Sequence, residues 1–130
     1  MYIMRTKVLA VLLVLSLMTG LLAACGKQHK AEGIVEAFLD NSLANKNYVV
    51  HFGNLGSTDK IGDEQLMKMN AITHKDDPLF KKPVKYGAYK ELGSLWFLRS
   101  TIIHDKDTFI RTIYLHPELR DDGVMAVKEN

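Results

Sequence analysis

The chain is 130 residues long and nearly neutral, with 17 lysine and arginine residues against 15 aspartate and glutamate residues. This length suits one domain with a single core, and the balanced charge argues against a nucleic-acid-binding protein. Cys25 is the only cysteine, so the sequence excludes an internal disulfide and a zinc site built from several cysteines.

The first 24 residues have the parts of a secretory signal peptide. Arg5 and Lys7 form a short basic start, and an apolar run from Val8 to Leu22 follows it. This run suits the apolar region of a signal but is short for a membrane span, which needs roughly 20 apolar residues. We therefore predict a signal peptide over 1–24. Two alternatives stay open: a retained transmembrane helix, and an ordinary cleaved signal followed by a coincidental Cys25.

The end of this segment, Leu22-Ala23-Ala24-Cys25, resembles the lipobox of bacterial lipoproteins. Small residues before the cysteine let a peptidase hold the extended backbone, and the lipid is joined to the cysteine through a thioether. The resemblance implies cleavage between Ala24 and Cys25, with a diacylglyceryl group and an N-acyl chain such as palmitate on Cys25. Several acyl chains together anchor a protein stably in a membrane.

The residues after Cys25 indicate how the domain is linked to its anchor and which membrane holds it. Gly26-Lys27-Gln28-His29-Lys30 is polar and basic, so we predict a tether over 25–30 and a single domain over 31–130. The tether is either a plain solvated linker, which is favoured, or a segment whose lysines lie against anionic head groups. Cys25 is not followed by aspartate, which resembles the pattern of lipoproteins anchored in the outer membrane and facing the periplasm. Without 1–24 the chain carries 15 basic and 15 acidic residues.

Three elements are predicted in the first half of the domain. Apolar residues at helical spacing indicate a helix from Ala31 to about Asn45, and β-branched and aromatic residues indicate a strand from Tyr48 to Phe52. A second helix is predicted from Asp63 to about His74.

A lysine-rich segment follows, from Lys75 to Lys90, in which basic residues alternate with aromatic ones. Such a mixture can bind glycans, anionic lipid or single-stranded nucleic acid, so Lys81, Lys82 and Lys85 are candidate contacts for a partner or an anion. The alternative is a solvated surface loop.

Two β-rich runs, Leu95 to His104 and Thr108 to His116, predict an antiparallel hairpin with a three-residue loop. In that register His104 pairs with Thr108, and both faces of the hairpin are apolar, so each face needs cover from a helix, a loop or another molecule. Arg99 and Arg111 become diagonal neighbours able to share an anionic ligand; alternatively, both arginines hold their charges in water.

The predicted fold class is therefore α+β, with an N-terminal helix packed on a small antiparallel sheet dominated by the long C-terminal hairpin, after a signal helix. Between Leu43 and Leu55 and between Leu95 and Val127, this order of elements resembles small envelope lipoproteins with cystatin-like or half-NTF2-like folds. Such folds host binding, inhibition and catalysis alike.

No catalytic motif is found, and the histidines, at positions 29, 51, 74, 104 and 116, lack the close spacing of zinc ligands. We predict no metal and no cofactor beyond the lipid on Cys25. The sequence favours a non-enzymatic binding or interaction module at the membrane surface, whose partner is an envelope protein or a second copy of the chain. The alternative is a small ligand-binding or catalytic module with a pocket between helix and sheet.

Overall fold

The computed structural model describes residues 26–44, 47–81, 84, 86–87 and 92–130, with the backbone alone at 72–76. The predicted signal peptide and Cys25 lie outside these residues. Two helices are present, α1 over 26–42 and α2 over Asp63–Asp76. The strands are β1 Val49–Phe52, β2 Gly56–Thr58, β3 Leu95–His104, β4 Asp107–Leu115 and β5 Val124–Glu129. The predicted α+β class is confirmed.

All strand pairs are antiparallel, in the order β1-β3-β4-β5. The short strands β1 and β2 both pair with β3, β1 along Ser100 to Ile103 and β2 along Leu95 to Phe97. They form one interrupted edge, and β5 lies beyond β4 at the opposite side of the sheet.

The helix α1 covers one face of the sheet. Its apolar stripe recurs every three or four residues, as a helix needs to bury one side, and includes Ile34, Val35 and Leu39. These side chains join Leu98 and Ile113 of the central strands in the larger core cluster. The predicted packing of the first helix on the hairpin is therefore present.

The opposite face is covered in part by α2. Leu66, almost fully buried, packs with Leu95, Tyr114, Met125 and Ala126 in a second cluster. The apolar character of both hairpin faces thus has an explanation within the chain, since each face has its own helix.

The hairpin register differs from the predicted one. Asp105 and Lys106 alone form the turn, and His104 pairs with Asp107 rather than Thr108. Asp105 adopts a left-handed φ of 54°, which aspartate tolerates better than most residues. Side chains alternate between the two faces along a strand. A register shifted by one residue therefore places every β4 side chain on the face opposite to the predicted one, relative to β3.

The segment expected to be a polar tether also differs. Residues 26–30 are helical and belong to α1. The side chain of Gln28 donates to the carbonyl of Gly53 at 3.0 Å and accepts from the backbone N–H of Leu55 at 2.7 Å. These two bonds attach the start of the helix to the loop between β1 and β2.

Candidate functional site

A cavity of about 490 Å³ lies between α2 and the last two strands. Its apolar walls come from Ile61, Met69, Tyr114 and Val127, and its polar margin from Gln65, Lys68, Asp77, Lys128 and Glu129. We call it the α2 cavity. Its volume lies within the roughly 300–1,000 Å³ of small-molecule sites, which are also mostly apolar with a few polar groups.

Local sequence explains how α2 lines this cavity. Gln65, Lys68 and Met69 are three and four residues apart, so they share one side of the helix, while Leu66 is buried against the sheet. At the start of the helix, the Gln65 side chain accepts a hydrogen bond of 3.1 Å from the N–H of Gly62. Burial of Leu66 thus fixes which side of α2 borders the cavity.

Tyr114 is the one aromatic residue among the described residues of the cavity wall, and 7% of its surface is exposed. Its ring lies 6.5 Å from the ring of Phe97, between centroids, in a tilted arrangement. Burial raises the pKa of Tyr114 above its usual value of 10.0, so the phenol keeps its proton at neutral pH. Its hydroxyl makes no hydrogen bond to any residue that the structure describes.

Asp77, at the margin of the cavity, forms a buried ion pair with Arg111 of β4. Arg111 donates through Nε to Oδ2 at 2.9 Å and through Nη2 to Oδ1 at 3.1 Å, and each side chain is only 4% exposed. Asp77 Oδ1 also accepts from the N–H of Leu79, and Arg111 Nη1 donates to the carbonyl of Ile110. Two parallel bonds of this kind are among the stronger side-chain contacts in proteins. They tie the chain after α2 to the sheet.

The predicted pairing of Arg99 with Arg111 was wrong. Arg99 lies opposite Thr112 and Arg111 opposite Ser100, so the two arginines point to different faces of the sheet and share no ligand. Arg99 is exposed, whereas Arg111 is buried and bonded to Asp77. The cause is the shorter turn described above.

Of the three candidate lysines, Lys81 is described and is exposed; Lys82 and Lys85, like Ala24 and Cys25, lie outside the described residues. Lys81 borders a second cavity of about 720 Å³ beside the end of α1, together with Phe38, Tyr86, Asp121 and Asp122. This cavity is more polar than the α2 cavity, and its acidic residues offset the charge of Lys81.

The histidines within the described ranges do not come together. His104 lies 3.1 Å from the carboxylate of Asp105 in the hairpin turn, and His116 Nδ1 accepts a hydrogen bond from the N–H of Glu118. Among the described residues, no group of three histidine, cysteine or acidic side chains is placed to hold a metal ion.

Sequence reasoning did not identify Tyr114 or Asp77 as site residues. Tyr114 has the pattern of an ordinary strand residue, and Asp77 precedes a proline, which indicates only a turn. Their roles depend on α2 crossing the sheet beside β5. No local pattern encodes that contact.

Comparison of the chain with protein-family models, with curated proteins and with solved structures gives no match. Within the described residues, neither helix has the length and apolar character needed to cross a bilayer.

Proposed function

We propose that this protein is a non-enzymatic binding module of the cell envelope, anchored by lipid on Cys25 and binding a small apolar ligand in the α2 cavity. The observation that carries the proposal is the cavity itself, which joins apolar walls to one buried phenol. The anchor is supported by the Leu22-Ala23-Ala24-Cys25 segment, and we place the domain at the outer membrane, facing the periplasm.

The structure also bears on the choice between a small ligand and a protein partner. The main sequence argument for a protein partner was a hairpin with two apolar faces, and α2 now covers part of the second face. The cavity left beside α2 is a concave, mostly apolar site, which suits a small molecule better than a flat protein surface.

The cavity proposal is tested by filling the site. Met69 is half-buried and lines the cavity, so Met69→Trp places a larger side chain in it, whereas Met67, two residues earlier, is 59% exposed. The full chain is purified from its own membranes, and bound small molecules are identified by mass spectrometry. We expect a ligand with the wild type and with the matched Met67→Trp control, and none with Met69→Trp. Equal recovery from all three proteins would contradict the proposal.

The anchor proposal has a separate test in cells given radiolabelled palmitate. We expect the label in the wild type, and in Cys25→Ser we expect loss of the label with accumulation of the unprocessed precursor. Label that persists in Cys25→Ser would show that the lipid is attached elsewhere or that no lipobox operates.

A protein partner is the second candidate, because α2 packs beside β5, at the far side of the sheet from β1. Val49 of β1 is 56% exposed, and β1 lies at the edge of the sheet, where unpaired backbone groups can accept another strand. Crosslinking in membranes with wild type and Val49→Lys tests this. A crosslinked envelope protein or dimer that disappears in Val49→Lys would favour the partner over the ligand.

A further inference from the structure

We propose that the Tyr114 hydroxyl is the polar anchor of the α2 cavity, and that the ligand is an amphiphile with an apolar body and a neutral or anionic head that accepts a hydrogen bond. This inference rests on the proposed function and deepens it, since it names the chemical class that the cavity takes.

The first step is the contrast between Tyr114 and other polar groups that the fold buries. Arg111 and Asp77 satisfy each other, and the half-buried Trp96 donates its indole N–H to the carbonyl of Pro117 at 2.9 Å. Buried polar groups in proteins are nearly always bonded in this way. The Tyr114 ring is buried in the cavity wall, whereas its hydroxyl is not one of the fully enclosed polar atoms and has no such partner among the described residues, so it stays accessible from the cavity. A ligand that fills the cavity would supply one.

The second step is the direction of the hydrogen bond. Burial favours the neutral phenol, which keeps its O–H and can donate it. The ligand group that meets this donor is therefore an oxygen acceptor, as in a carboxylate, an ester or an alcohol.

The third step concerns the rest of the ligand. Ile61 and Val127 have no hydrogen-bonding side-chain groups, and Met69 has only a weakly accepting thioether, so the body that contacts them is apolar. Lys68 and Lys128 stand at the margin with Glu129, while Asp77 is already paired with Arg111. Lys68 is offset by Glu64 at 3.5 Å, and Glu129 lies 3.8 Å from Arg111. Lys128 therefore adds a positive charge with no ion pair among the described residues, which disfavours a cationic head.

The test uses three photoactivatable decyl probes that share one tail and differ in the head group: a carboxylate, an alcohol and a trimethylammonium. Each is added to membranes that contain the full chain, and the labelled fraction is measured by mass spectrometry. Ratios between variants are taken within one probe, so differences in membrane partitioning cancel.

With Tyr114→Phe, which keeps the ring and removes only the hydroxyl, we expect labelling by the carboxylate and the alcohol to fall about three- to tenfold, as loss of one hydrogen bond predicts. The trimethylammonium probe should label weakly and equally in both proteins. Met69→Trp should abolish labelling, and Met67→Trp should leave it unchanged.

The role of Tyr114 and the binding of amphiphiles in the α2 cavity can be contradicted separately. If Met69→Trp abolishes labelling but Tyr114→Phe changes none of the probes, Tyr114 is not the anchor and the cavity still binds. If Met69→Trp leaves labelling as in the wild type, or no probe labels the wild type, the cavity is not the site for such amphiphiles, and this inference fails with it.

Discussion

At the scale of single residues, the buried pair of Asp77 and Arg111 fixes the border of the α2 cavity. Neither side chain has access to an outside ligand, since each is 4% exposed and bonded twice to the other. The sequence names Arg111 as a candidate contact for an anion, but its partner is Asp77, which lies 34 residues away in the chain. A candidate anion site thus proves to be an internal contact.

Removal of one member of this pair should destabilise the fold strongly. Asp77→Ala leaves a buried guanidinium without its main partner, which costs about 3–5 kcal/mol of unfolding free energy. The control is Glu118→Ala, which breaks the exposed pair with Arg120, where both side chains are more than half exposed, and should cost less than about 1 kcal/mol. Urea unfolding measures both. Similar costs for the two variants would mean that water reaches Arg111.

At the scale of elements, the two-residue turn between β3 and β4 decides which side chains face which helix. Asp105 holds the left-handed φ of 54°, where a β-branched residue is strained by about 1–2 kcal/mol. Asp105→Val should therefore lower the unfolding free energy by about that amount, whereas Asp107→Val, at the exposed start of β4, should not. Thermal unfolding of the two variants provides the comparison, and an equal effect would contradict the turn geometry.

A second link between elements joins α1 to the start of β1. The Tyr48 hydroxyl donates to Asp40 Oδ1 at 2.6 Å, and burial, then the hydrogen bond and charge of Asp40, raise the pKa of Tyr48 above 10.0. Because the pKa of Tyr48 is lower in the unfolded chain, Tyr48 loses its proton there at a lower pH than it does in the folded protein. The stabilising contribution is therefore complete below pH 10 and is lost above it. Stability measured from pH 8 to 11 should fall at the alkaline end, and less steeply in Tyr48→Phe; identical slopes would argue against this contact.

The elements also show what the sequence can predict. Strand β3 has the predicted bounds, and α1 has the predicted apolar stripe, because both follow from local periodicity. The faces of β4 were assigned wrongly, because the register depends on one backbone angle at Asp105. A pocket between helix and sheet was among the alternatives, but the residues that line the α2 cavity were not predictable, since Met69 and Tyr114 meet across 45 residues of chain.

At the scale of the whole molecule, α1 and α2 lie on opposite faces of one sheet, and the start of α1 is attached to the rest of the domain. Gly26, the first residue described, is already helical. Lys27 Nζ lies 5.4 Å from the centroid of the Trp96 ring, and Gln28 is bonded to the loop after β1. A lipid on Cys25 would therefore hold the Trp96 end of the domain close to the bilayer, with little slack between them.

Trp96 is the only tryptophan of the chain, so tryptophan fluorescence comes from this one side chain and measures how close it lies to the bilayer. In vesicles that carry nitroxide-labelled head groups, we expect the lipidated protein to show strong quenching of Trp96 fluorescence. Insertion of ten glycine and serine residues between Cys25 and Gly26 adds a flexible span of about 17 Å, and should weaken the quenching while leaving lipid attachment intact. Equal quenching in both proteins would mean that the helix does not position the domain, whereas weak quenching in both would place Trp96 away from the membrane.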